Sequence, residues 1–483
     1  MSRLVDSRLK TQMFATTTKA SRGQPPKDRP VVTIVVTSNG TKIKEDIPRH
    51  TKLHDRFNVV YLIIVLQGIG TLLPWNFFIT AHTYFSTKLD GTRYKHEFEN
   101  FFALAAFGPN LVAFFLNTMF KHKVALKIRI LVPLFVMTGI FVVTAALVKV
   151  DTENWKGSFF AITLVTMGLI NAFCAVYQGG LFGLSGMMPP RYTQALMTGQ
   201  GIGGIFACVA DIGSKLGTSD PIRSAFWYFL TAVVVLFACI VSYLGLYRIK
   251  FSQHFLEDHR EQVQVAGRTS IQPDGFSDSG KPILTDPVEK DLAEYEVKIE
   301  KTTPPFAFIM KEIWRTALAV FLVFMVTLAA FPAVLSGIKS ENHGDGSQWT
   351  GKYFTAVVCF LIFNVGDFCG RVTAGFVQKP GKDGFWLLGC CVLRFVFLPL
   401  FAFCNFHPRR TNGTVLFAED YWPIIFNVLF SVSNGYLGSL CMMYGPKLVE
   451  SKYAETAGTM MAYFLSLGLG IGAATSFGIT KSI

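Results

Sequence analysis

The run Phe363-Asn364-Val365-Gly366-Asp367-Phe368-Cys369-Gly370-Arg371 sets an acid and a base four residues apart inside a stretch that is otherwise apolar from about 354 to 377. Four residues is close to one helical turn, so the two charges share a face and can meet each other or a common partner. A charge placed in hydrocarbon costs roughly 2.5–3.5 kcal/mol on insertion scales. A pair such as Asp367 and Arg371 therefore needs a reason to be there.

Working outward, the 483 residues are 51% hydrophobic and 16% charged, against about a quarter charged in a soluble protein. Runs of membrane-spanning length recur with short polar connections, so the chain reads as helices that satisfy their own hydrogen bonds in lipid. The ten-residue alternation of a membrane barrel is missing. Formal net charge is +13, contributed largely by the N-terminal tail and by residues flanking apolar runs, which sets orientation and forms no nucleic-acid patch. The nine cysteines fall within or at the edge of apolar segments, where a free thiol acts as a small hydrophobe. Neither a disulfide framework nor a zinc site is expected, and no metal or cofactor. The first 55 residues are too polar for a cleavable signal, so the first apolar span is expected to direct insertion.

In chain order the reading is a basic, disordered cytoplasmic tail over 1–55, an N-terminal bundle over 56–247, a largely disordered cytoplasmic linker over 248–313 and a C-terminal bundle over 314–483. A short helix is expected in the linker around 288–299. Six spans precede the linker, at about 57–85, 100–120, 128–148, 159–187, 193–216 and 223–247. Five follow it, at about 314–338, 351–377, 385–405, 421–445 and 453–480. The fold expected is an all-α integral membrane protein of eleven transmembrane helices in a six-plus-five arrangement, the layout of transporters built from two bundles. An odd count puts the basic N-terminus inside and the C-terminus outside. The loop 406–420 then faces outward with Asn412-Gly413-Thr414, a glycosylation acceptor, whereas Asn39-Gly40-Thr41 stays inside, out of the enzyme's reach.

Polar residues inside the spans are the remaining candidates. Pro74 removes a backbone bond in mid-span and Trp75 follows it too deep for an interfacial belt, so Trp75 lines a cavity or packs a kink. Gln178 brings an amide into mid-span that neighbours or a ligand must satisfy. The glycines at 179, 180, 183 and 186, the run Gly199-Gln200-Gly201-Ile202-Gly203-Gly204 and the pair Gly468 and Gly472 read as close helix packing; no strand precedes the second of these, so it is no dinucleotide loop. Asp211 lies near a span end and reads as an acid at the interface, and Arg394 as a partner for a carbonyl or an acid on a neighbouring helix. Leu72, Ile79, Asn110, Asn364 and Arg394 complete the set of cavity or gate candidates. The histidines lie in the tail, in loops or at span ends, and the spans hold no nucleophile, paired acids or metal cluster, so an intramembrane enzyme is disfavoured.

Several stretches together resemble the equilibrative nucleoside transporters: Thr71-Leu72-Leu73-Pro74-Trp75-Asn76-Phe77-Phe78, Tyr177-Gln178-Gly179 with Leu181-Phe182-Gly183, Gly199-Gln200-Gly201, Phe363-Asn364 with Asp367 and Gly370-Arg371, and the run 458–472. The resemblance implies eleven helices in a major-facilitator-like fold that carries purine and pyrimidine nucleosides down their gradient by alternating access, without ion coupling. It implies that Trp75 flanks the nucleoside, Gln178 bonds the base, and Asp367 with Arg371 addresses the ribose. A carboxylate accepting two hydroxyls, a guanidinium fork and an aromatic wall suit those roles. Cys174 stands where inhibitor-sensitive relatives carry glycine, which argues against tight binding of benzylthio-purine inhibitors. Gly-Asp-x-x-Gly-Arg also resembles a gating motif of facilitator transporters, so the pair stands for ribose contact, gating or both. A facilitator for a sugar or another small polar solute is the alternative. The partners expected are the nucleoside and the lipid bilayer, with no nucleic acid and no obligate protein partner, and the site of action is the plasma membrane.

Overall fold

The computed structural model describes residues 32–36, 42–46, 55–80, 82–92, 98–121, 123–217, 221–258, 305–343, 345, 347, 350, 353–381, 385–407 and 415–482. They belong to two units, Met1–His54 and Asp55–Ile483.

In the first unit β1 (Val32–Val36) pairs antiparallel with β2 (Lys42–Asp46), Val32 opposite Asp46 and Val36 opposite Lys42. These two strands are the described elements of that unit. The first strand is β-branched throughout, which favours extended backbone.

The second unit is helical. Before the linker it holds α1 (Val59–Thr80), α2 (His82–Lys88), α3 (Phe98–Phe120), α4 (Leu126–Val148), α5 (Lys156–Met187), α6 (Pro190–Gly217) and α7 (Pro221–Leu246). After it come α8 (Phe306–Ala330), α9 (Ala333–Gly337), α10 (Ile362–Phe376), α11 (Phe385–Leu393), α12 (Phe397–Ala402), α13 (Tyr421–Tyr444) and α14 (Ala454–Ser482). Among the described residues nine helical stretches are long and apolar enough to cross a membrane. Helix also covers the second and fifth expected spans, but in α3 the apolar part is only Ala105–Phe120, and α6 carries Gln194, Gln200 and a run of glycines.

Helix boundaries depart from the expected linker at both ends. Residues 250–258 are helical, with Phe251 buried against Tyr192 at 5.5 Å between ring centres. At the other end α8 begins at Phe306 because Ile309, Ile313, Ala317 and Val320 form one buried stripe that runs straight through the charged residues Lys311, Glu312 and Arg315. The helix expected at 288–299 lies outside the described residues. Asp55, placed by sequence at the end of the tail, instead anchors α1: its carboxylate accepts the main-chain N–H groups of Val60 at 3.1 Å and Tyr61 at 3.0 Å, and the Tyr192 hydroxyl at 3.2 Å. Those amides have no partner within the helix, and the negative charge suits its N-terminus.

Helices approach where glycine removes the side chain. A Cβ on Gly468 or Gly472 of α14 would run into main-chain oxygens of Phe321 and Met325 on α8, and one on Gly186 of α5 would lie 2.9 Å from the Ala454 carbonyl of α14. The packing role read for these glycines holds. The ninth expected span is broken by a 3-10 turn, Arg394–Val396, between α11 and α12. Pro399 lacks the N–H that would bond Phe395 and crowds that carbonyl, which places the break.

Candidate functional site

A π-helical stretch, Thr355–Leu361, leads into α10 and brings Asn364, Asp367 and Arg371 onto one side of it. That side lies against α6: a Cβ on Gly201 would sit 3.1 Å from Phe368 Cα and 3.2 Å from Arg371 Cδ, and one on Gly204 would strike the Asn364 amide. The opposite approach is to α13, where a Cβ on Gly435 would meet the Asp367 carbonyl oxygen. Asp367 and Arg371 are thus 5% and 4% exposed, between a helix from before the linker and one from after it.

Their charges are matched there. Arg371 Nε donates to Asp367 Oδ2 at 2.6 Å, and Asn434 Nδ2 on α13 donates to Asp367 Oδ1 at 2.6 Å. The Asn434 oxygen in turn accepts from Thr327 Oγ1 of α8 at 2.6 Å. Toward α6, Arg371 Nη1 donates to the Met197 carbonyl at 3.1 Å and to Gln200 Oε1 at 3.2 Å, while Gln194 Nε2 donates to the Arg371 carbonyl at 3.3 Å. An ion pair so buried is strongly destabilised by loss of either partner, by about 3–5 kcal/mol.

The other sequence candidates are more dispersed. Gln178 on α5 is buried, and no hydrogen bond reaches its amide from the described residues. Trp75 and Ile79 lie on α1 with their side chains outside the description, and Leu72 on the same helix is half-buried. Asn110 ties α3 to two helices, donating to the Asn171 carbonyl at 3.1 Å and accepting from Ser466 Oγ of α14 at 2.6 Å. Asn364 donates to the Phe360 carbonyl at 2.9 Å and to Cys208 Sγ at 3.2 Å. Arg394 is 2% exposed and its guanidinium is taken up by the Val323 carbonyl at 2.7 Å, the Phe430 carbonyl at 3.2 Å and Ser433 Oγ at 3.2 Å. It stitches α8 to α13. Asn412 and the Asp211 side chain lie outside the described residues.

Sequence reading passed over Gln194, Gln200, Asn434 and Thr327 as participants. Each is a polar side chain in an apolar helix, which was the available signal. An ionic contact joins the two halves of the chain: Glu455 at the start of α14 meets Arg129 Nη1 of α4 at 2.9 Å and Lys121 Nζ, just past α3, at 3.6 Å. Both basic side chains are turned into the protein. Burial pushes the Lys121 ammonium down from 10.5 to about 8, against the pull of Glu455 and with the repulsion of Arg129.

A family model described as nucleoside transporter matches residues 164–481. Equilibrative nucleoside transporter 1 of Homo sapiens is 38% identical over 88% of this chain and 97% of its own length. Equilibrative nucleoside transporter 2 of Homo sapiens is 36% identical over 89% and 98%, and equilibrative nucleoside transporter 3 of Rattus norvegicus 33% over 90% and 91%. Among solved structures, a major facilitator superfamily proton:xylose symporter bound to 6-bromo-6-deoxy-D-glucose aligns over 89% of this chain and 90% of its own, with a TM-score of 0.58 at 13% identity, a likeness of fold alone. With most of its length matched at this identity, the chain belongs to the equilibrative nucleoside transporter family.

Proposed function

We propose that the protein is a facilitative transporter of purine and pyrimidine nucleosides, working by alternating access between six helices before the linker and five after it. Trp75, Gln178, Asp367 and Arg371 form the substrate site in this reading. The observation that carries it is the Asp367–Arg371 pair, held by α13 on one side and by α6 on the other. A ribose offers two hydroxyls to a carboxylate and lone pairs to a guanidinium, so it can take over contacts that Asn434, Gln200 and Met197 make here. The pair then serves two roles in turn, ribose contact and a latch between the halves. The contact of Glu455 with Arg129 and Lys121 is a second latch that must part when the halves separate at that end.

The family is one of transporters, so the chain is a carrier and no enzyme. The sugar alternative finds no support in the fold likeness at 13% identity, which shows architecture only. In the same reading the protein sits in the plasma membrane with its N-terminus cytoplasmic, its C-terminus extracellular and Asn412 glycosylated. Uptake of labelled uridine and adenosine into oocytes without nucleoside transport of their own, competed with glucose, tests the proposal. Saturable uridine uptake that is insensitive to glucose and to collapse of the proton gradient is expected; its absence ends the reading. A shift in gel mobility on deglycosylation, lost in Asn412→Gln, tests the orientation.

A further inference from the structure

Gln200 occupies one of the places where hydrogen bonding crosses between the two halves of the chain, and its neighbours fix which way its amide points. A guanidinium only donates, so the atom 3.2 Å from Arg371 Nη1 is the amide oxygen. The Thr71 hydroxyl gives its proton to the Gly68 carbonyl at 2.7 Å, which leaves its oxygen to accept from Gln200 Nε2 at 3.1 Å. The Thr71 carbonyl accepts the Cys174 thiol at 2.9 Å. Thr71 stands one helical turn before Trp75 on α1, and Cys174 one turn before Gln178 on α5. On the far side Arg371 is held by Asp367, Asp367 by Asn434 and Asn434 by Thr327. One unbroken series of bonds therefore runs from α8 through α13, α10 and α6 to α1 and α5, and the Gln200 side chain, 3% exposed, is the link at the crossing.

We infer that Gln200 is a positioning residue for translocation: its amide holds Arg371 to the first-half helices when the halves are together, and releases the guanidinium to the ribose end of the substrate when they part. The inference rests on the transport reading above and extends it to a residue with no substrate contact of its own. A neutral amide suits the task. It completes the guanidinium's bonding, yet forms a weaker contact than a carboxylate would in a dry site. Replacing it with glutamate converts the link to an ion pair that resists separation. Replacing it with leucine leaves Nη1 with only the Met197 oxygen and sulfur on α6.

The test is uridine influx into oocytes without their own nucleoside transport, normalised to surface protein, for wild type, Gln200→Glu, Gln200→Leu and Thr71→Val. Gln200→Glu is expected to lower Vmax by about tenfold with KM within about twofold, since release is slowed and the ribose contacts survive. Gln200→Leu is expected to raise KM by about fivefold with less effect on Vmax, and Thr71→Val to move KM the same way by less. A packing defect alone would lower surface protein and leave both constants unchanged. Wild-type KM and Vmax in both Gln200 variants overturn the inference and leave the transport reading intact. Absence of saturable influx in the wild type overturns the transport reading itself, and the wild-type control alone reveals it. If neither Gln200 variant reaches the surface, Thr71→Val decides, and an unchanged KM there overturns the inference.

Discussion

Asp367 is neutralised by one guanidinium and one amide, and Arg371 by one carboxylate, one amide and one main-chain oxygen, all from side chains and backbone that solvent hardly reaches. Asp367→Asn leaves Arg371 buried without an ionised partner, at a cost of about 3–5 kcal/mol. Uridine influx at low concentration should then fall by about a hundredfold or more, with weaker equilibrium binding to the purified protein. Binding that survives while influx is lost would assign the pair to latching alone. Arg394 behaves differently, since its donors are spent on α8 and α13. Arg394→Met should lower the melting temperature and the surface amount while the uridine KM of what reaches the surface stays near wild type; a raised KM would return Arg394 to the substrate site. The cost of a charge in lipid made Asp367, Arg371 and Arg394 visible in the sequence. Gln200 and Asn434 were harder to see, because a neutral amide costs less to bury and its worth depends on a partner several helices away in the chain.

At the scale of elements, α10 meets α13 backbone to backbone because Gly370 and Gly435 leave no side chain between them, while Gly366 makes room for the Ser431 side chain. A Cβ at Gly370 would fall on the Val432 carbonyl oxygen and 2.7 Å from the Tyr436 nitrogen. Gly370→Ala is therefore expected to destabilise by about 1–3 kcal/mol, read as a lower melting temperature in detergent, and to loosen the Asn434 contact to Asp367. An unchanged melting temperature would mean that the two helices can separate freely. Helix positions followed from apolar length, and all the spans read from the sequence carry helix. Breaks and extensions did not follow. The early start of α8 depends on a buried stripe continuing beneath charged residues, which only a neighbouring helix makes worthwhile. The strands at 32–36 and 42–46 lie in polar surroundings, and only the first carries a β-branched run.

For the molecule as a whole, the polar contacts that join helices before the linker to helices after it include a guanidinium–amide contact, Arg371 with Gln200, and an ionic one, Glu455 with Arg129 and Lys121. The second gives a pH dependence. Lys121 titrates at about 8 in the fold and at 10.5 as a free side chain, so between those values the unfolded chain binds more protons and stability rises with pH. The melting temperature of wild type relative to Lys121→Met should climb from pH 8 to pH 10; a flat difference would show the ammonium to be hydrated. Composition and span length by themselves determined a helical membrane protein, because lipid forces every backbone group to bond within its own segment. Motifs in order determined the family, and the cost of charge in hydrocarbon singled out the Asp367 and Arg371 of the opening stretch. Which helices those charges join was decided by tertiary structure alone. Spacing along one helix fixes a shared face, and only the packing of α6 and α13 against that face supplies the amides that complete the pair.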